Sequence, residues 1–204
     1  MRLIKANISQ VTTYLEASIA VQRRVADACA SQIVQASEVV AAALKAGNKV
    51  LLCGNGGSAA DCQHIAAELV SRLTSEVERR ALPAIALTTD TSLITAYAND
   101  YGFGGIFERQ IEALGRSGDV LIAISTSGRS ENVRRAVTAA KGMGMSTICL
   151  TGQDGPLEHE VDQAVAIPAR DTQHVQEALL PVEHLICSLV ESALFGSRDA
   201  EEVT

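Results

Sequence analysis

His64 and Glu68 are four residues apart, so on a helix they share one face about one turn from each other. An imidazole and a carboxylate at that spacing can hold a metal ion together or divide acid and base roles. Taken alone, such a pair is more often a satisfied core histidine beside a solvated glutamate. The residues just before it change that weighting. Gly54-Asn55-Gly56-Gly57-Ser58 is a glycine-rich turn, and three glycines let the backbone take φ > 0 and bring its N–H groups close to a guest. Ser58 is the expected N-cap, and Asp61 three residues on completes a capping-box-like pair. The free N–H groups and the positive end of the helix then face the turn, which makes an anion site with phosphate as the expected guest. A His/Glu pair that begins within two turns of such a site reads as functional.

These residues need a strand before the turn and a helix after it. Val50 to Cys53 is an apolar run short enough for a buried strand, and the stretch from Ser58 has good helix propensity. A second unit of the same design comes later in the chain. Asp119 to Ile124 reads as a strand, Ser125-Thr126-Ser127-Gly128-Arg129-Ser130 as a polar turn, and Glu131 to Met143 as a helix. One Ser- and Gly-rich loop is a weak signal; two feeding the same edge of a parallel sheet are a strong one. Further strands are expected at Pro83 to Leu87, Ser146 to Leu150 and Val161 to Ile167. Helices are expected from about residue 3 to 45 with a break near Asp27 to Ser31, as a short segment after the turn and capping residues Thr88-Thr89-Asp90-Thr91-Ser92 and ending near Asn99-Asp100, over Phe107 to Leu114, and from Thr172 or Gln173 to Phe195. The alternation predicts a three-layer αβα fold with a five-stranded, doubly wound parallel sheet. Its ligand site lies at the carboxyl ends of the strands. The helices over 1–46 exceed what one sheet face needs and are read partly as oligomer contacts; 197–204 is read as a flexible tail.

Composition narrows the function. The 204 residues are 47% hydrophobic but only 3% aromatic, so the core is built from Ala, Val, Leu and Ile and offers little for base stacking. A net charge of −7, without any basic block, argues against nucleic-acid binding. Five scattered cysteines (Cys29, Cys53, Cys62, Cys149, Cys187) form no C-x-x-C and read as buried thiols in a reducing compartment. Arg2, Lys5 and Glu16 interrupt the start, and no secretory signal or membrane span is expected, which points to the cytoplasm.

The Cys53-to-Glu68 run, the Ser125-Thr126-Ser127-Gly128-x-Ser130 turn, Ala98-Asn99-Asp100, and Val175-Gln176-Glu177 with His184 together resemble the phosphoheptose isomerase family of the sugar isomerase (SIS) fold group. The resemblance spans nearly the whole chain and implies a single SIS domain over 1–204, with a flavodoxin-like sheet. It implies an aldose–ketose isomerase converting sedoheptulose 7-phosphate to D-glycero-D-manno-heptose 7-phosphate, for heptose units of lipopolysaccharide or other bacterial glycans. By the same resemblance Asn55, Gly56, Gly57, Ser58, Glu68, Asn99, Asp100, Ser125, Thr126, Ser127, Ser130 and Gln176 contact substrate. Glu68 and His184 match the acid/base pair, and His64, Glu68, Gln176 and His184 match a zinc (Zn2+) site. A homotetramer is implied as well.

Three positions depart from the family pattern. Leu179 stands where many relatives have a further histidine, Arg129 where asparagine is common, and Pro181 interrupts the last helix, where a kink is expected. Two other readings compete. One is a binding protein of the replication-initiator-associating type, in which the Glu68 position is not acidic and the His184 position is not histidine; the other is an isomerase or sensor for a different sugar phosphate. Gln176 and His184, eight apart, lie ~12 Å apart along a straight helix and ~80° apart around it, which suggests a site shared between chains. On that expectation, mixed Glu68→Gln and His184→Ala chains regain activity.

Overall fold

A computed structural model describes residues 7–74 and 78–196. The expected tail over 197–204 and the first residues of the N-terminal helix lie outside the described residues.

The sheet is built from β1 (Val50–Gly54), β2 (Ala84–Ala86), β3 (Val120–Ser125), β4 (Ser146–Gly152) and β5 (Gln163–Ile167). All pairings are parallel and the order is β2-β1-β3-β4-β5, the flavodoxin-like order, in which the chain switches direction between β1 and β3. Val50, Leu51, Leu52, Cys53 and Gly54 stand opposite Val120, Leu121, Ile122, Ala123 and Ile124. This register brings the carboxyl ends of β1 and β3, and therefore both polar turns, side by side.

Alternate strand residues feed two separate cores, as a sheet covered on both faces requires. Val50, Leu52, Val120, Ile122, Ile148, Leu150 and Val165 pack under α1 (Ile8–Ala28), α2 (Ala30–Lys45), α3 (Gly57–Val70) and α7 (Thr172–Phe195). Leu51, Cys53, Leu121, Ala123 and Cys149 pack on the other face with Phe107, Ile111, Val133, Ala136 and Val137, from α5 (Glu108–Leu114), α6 (Glu131–Gly142) and the turn before α5. Each fully buried Leu or Ile contributes ~1.5–3 kcal/mol by leaving water. α4 (Thr91–Tyr101) has no buried residue.

The expected break between the first two helices falls at Cys29, and the five cysteines are free and buried as expected. Burial pushes the Cys53, Cys149 and Cys187 thiols up to about 12, so all three are held as inert thiols. α7 is long and apolar enough by composition to cross a membrane; in this fold it is a core helix, with nine of its residues buried. It also runs unbroken through Pro181. Proline cannot donate to the carbonyl four residues back, and the Gln22 side chain of α1 donates to that Glu177 oxygen instead, at 3.3 Å.

Candidate active site

The first turn closes two residues earlier than expected. Gly56 takes φ +57 and is itself the N-cap, so α3 opens at Gly57. Ser58 therefore sits inside the first helical turn, buried, and makes no capping hydrogen bond; the expected Ser58–Asp61 box is not formed. The turn is tight: a Cβ on Gly54 would lie 2.7 Å from the Ser58 carbonyl oxygen. Gly57 lets the Gln176 amide pack against the turn: a Cβ there would meet that amide at 2.0 Å and displace it. Asp61, freed from capping, accepts from Gln176 Nε2 at 3.2 Å. Burial raises the Asp61 carboxyl above its ordinary range, and the Gln176 hydrogen bond works against that.

The second turn carries Gly128 at φ +62, and α6 begins after Ser130 without a side-chain cap. Ser130 Oγ pairs with Ser125 Oγ at 3.2 Å, Thr151 Oγ1 donates to the Ser125 carbonyl at 2.7 Å, and Gly152 N donates to the Thr126 carbonyl at 3.0 Å. Asn7, Asp90 and Asp171 cap α1, α4 and α7 with their side chains, whereas α2, α3, α5 and α6 have no side-chain cap. In α3 and α6 the third amides are taken, Ala59 N by the Gly56 carbonyl and Val133 N by Asn132 Oδ1, which leaves the first two of each helix to face a guest.

A reciprocal amide pair joins the turns: Asn55 Nδ2 donates to Asn132 Oδ1 at 2.8 Å and Asn132 Nδ2 to Asn55 Oδ1 at 2.9 Å. Asn132 was not expected from sequence. Its signal is a polar residue on the buried stripe of α6, four and eight residues before Ala136 and Ala140. Ser127 is exposed on the second turn, while Arg129 turns away to donate to the Asp154 carbonyl at 3.4 Å. Asn99 and Asp100 are exposed at the end of α4 and bonded to each other at 2.8 Å; no recorded contact brings them to either turn within the chain. Leu179 is a fully buried core residue.

Behind the first turn, α3 and α7 meet. His64 Nε2 stands 2.8 Å from His184 Nε2, with ring centroids 4.9 Å apart at 71°. His64 Nδ1 is 3.9 Å from Glu68 Oε1, and Glu68 Oε2 is buried without a partner. Two lone pairs cannot face each other at that distance, so one ring must donate a proton or a cation must lie near both. One ligand atom from each of His64, Glu68 and His184 falls within 4.8 Å of the others. Two imidazoles and a carboxylate suit zinc, and an orphaned carboxylate oxygen is what such an ion would satisfy. Gln176, expected as a fourth ligand, has its amide on Gly57 and Asp61. Ligand atoms of Glu68 and His184 thus come together with His64 within one chain, whereas the sequence suggested a meeting across chains, and the Gln176 amide is turned to Asp61. Next to His184, Glu183 is buried with both carboxylate oxygens unpartnered, and burial, with Asp61 adding, pushes it up to about 8.

Residues 13–152 match the SIS domain family. The chain is 52% identical over 182 residues to a phosphoheptose isomerase of Roseiflexus sp. (strain RS-1), covering 89% of this chain and 91% of that one. Among solved structures it is similar to the phosphoheptose isomerase of Neisseria gonorrhoeae (TM-score 0.85, 41% identity, 90% of this chain and 98% of that one). It is likewise similar to that of Francisella tularensis (TM-score 0.87, 37% identity, 92% and 99%). With its fold, its paired turns and these relatives, the chain belongs to the phosphoheptose isomerase family of SIS-domain proteins.

Proposed function

We propose that this chain isomerises sedoheptulose 7-phosphate to D-glycero-D-manno-heptose 7-phosphate, with the substrate phosphate on the two turns and the reacting carbons at the α3–α7 contact. The observation that carries the reading is the convergence of His64, Glu68 and His184 in one chain beside the first turn. The open amides of α3 and α6, with Asn55, Gly56, Gly57, Ser125, Thr126, Ser127 and Ser130, bind the anion and set the distance to the reacting end. Asn132 holds Asn55 in place. Aldose–ketose isomerisation moves a proton between C1 and C2 through an enediol and needs a base for the carbon proton and an acid for the oxygen. Glu68 and His184 fill those roles, and His64 holds the His184 imidazole in position. We assign zinc to His64, Glu68 and His184; when bound it would act as a Lewis acid toward the developing enediolate charge. Gln176 serves the turn through Asp61.

The exposed Ile8, Val11, Leu15 and Ile19 recur at three- and four-residue spacing on α1, an apolar stripe that fits burial between copies of a cytoplasmic homotetramer. Asn99 and Asp100, exposed at the end of α4, would then meet substrate at a neighbouring copy's site. The product would feed heptose-containing glycans such as lipopolysaccharide. The non-catalytic alternative is disfavoured because both Glu68 and His184 are present and adjacent to His64. The test is an isomerase assay on sedoheptulose 7-phosphate beside shorter ketose phosphates, with and without chelator. Turnover of the seven-carbon substrate, reduced by chelation and restored by Zn2+, is expected; turnover of only shorter sugars would overturn the substrate assignment.

A further inference from the structure

We propose that Arg79 and Glu191 form a positioning clamp that fixes Glu68 against His184; this rests on the acid–base reading above. The Arg79 side chain is fully buried. Its Nη2 donates to the Glu68 carbonyl at 2.7 Å, its Nη1 to the Leu69 carbonyl at 3.0 Å, and its Nε to Glu191 Oε1 at 2.5 Å. Glu191 lies on α7 two turns beyond His184, and the same oxygen accepts from Leu73 N at 3.2 Å, holding the chain as it leaves α3. The Phe195 ring closes over the guanidinium, 5.9 Å from Cζ.

The last carbonyls of a helix have no partner within the helix and carry its negative pole. In α3 that last turn holds Glu68 itself. A guanidinium offers a rigid fork of donors and meets two carbonyls and a carboxylate at once, which a lysine cannot. Arg79 thereby ties the backbone of Glu68 to the helix that carries His184, at the end of α3 opposite the phosphate turn. A shift of about 1 Å at such a position costs ~10²-fold in rate. Substrate binding, set at the other end of the helix, is untouched.

Arg79→Lys keeps the charge and loses the fork. The measurements are kcat and KM on sedoheptulose 7-phosphate, thermal stability, and the imidazole NMR resonances of His64 and His184 in metal-free protein. The clamp predicts a kcat lower by about 10-fold or more with KM within about 2-fold, and displaced imidazole resonances. Replacing both partners by apolar residues (Arg79→Met with Glu191→Met) is expected to hold the fold, and its kcat should stay low although stability returns. Unchanged kcat and resonances in Arg79→Lys, or a double variant whose kcat recovers with its stability, would overturn the clamp. Arg79→Lys decides alone if the double variant does not fold. Wild-type protein inactive on this sugar would defeat the isomerase reading, and the imidazole resonances would still decide the clamp.

Discussion

The two strand–turn–helix units of this chain share a plan and differ in the helix that leaves the turn. Both place a glycine at positive φ, Gly56 and Gly128, and open a helix without a side-chain cap. After the second turn, α6 buries Asn132, Val133, Ala136, Val137 and Ala140 and serves packing and positioning. After the first, α3 turns His64 and Glu68 toward His184 of α7 and leaves a carboxylate oxygen without a partner. Two similar turns can bind the two sides of one anion, but only the helix that meets another polar helix can do chemistry. On the proposed function, binding would be divided between the units and reaction would belong to one.

The largest expected effect breaks that division at α7. His184→Ala should lower kcat ~10²–10⁴-fold while the protein stays folded, since His184 is only partly buried. Because Glu68 and His184 meet within one chain, assemblies of Glu68→Gln chains mixed with His184→Ala chains should stay inactive after confirmed subunit exchange. Recovered activity would place the two residues on different chains.

Gly57→Val tests the first turn. Its Cβ would occupy the space of the Gln176 amide, 2.0 Å away, and expel that side chain from Asp61. Substrate binding should be lost, as read by titration calorimetry with sedoheptulose 7-phosphate. The second turn is expected to be softer. Ser127→Ala should raise KM by ~10-fold and leave kcat within about 2-fold, because a hydrogen bond to a charged group contributes ~1.5–3 kcal/mol of uniform binding. Steady-state kinetics with saturating zinc checks it; an unchanged KM would remove this turn from the binding site.

The smallest effect lies outside both units, where α1 meets α7. Hydrogen bonds with His174 and Tyr14 hold the Glu177 carboxyl down at about 2, against an ordinary 4.5. A carboxyl depressed in the folded state contributes stability above its unfolded value and loses it as pH falls through the folded one. The Tyr14–Glu177–His174 link should thus weaken between pH 4.5 and about 2, modestly because the carboxylate is partly exposed. Thermal melts of wild type and Glu177→Gln should converge across that window.

How much of this was legible in the sequence depends on the range of each interaction. Every described strand and α-helix was readable, though not the short 3-10 turns at Phe103–Gly105 and Pro156–His159, because hydrophobic period and punctuation are local: Gly47, Gly115 and Gly196 mark the ends of α2, α5 and α7 where expected. The His64–Glu68 pair was readable as a helical spacing. Ser58 was misplaced because capping preference is a local rule, and the reversal at Gly56 took the cap to an earlier residue. The partners Asn55–Asn132, Asp61–Gln176 and Arg79–Glu191 were not readable. Each joins residues 77 to 115 positions apart, and periodicity assigns a residue to a face without naming the residue opposite. The available hint was polarity on a buried stripe, as at Asn132, Glu183 and Glu191.

The central claim is that the first unit reacts while both units bind. The most direct test is the kcat and KM of Glu68→Gln on sedoheptulose 7-phosphate. A kcat lower by ~10²–10⁴-fold with KM within a few-fold of wild type is predicted. Near-wild-type kcat would contradict it and move the chemistry away from α3.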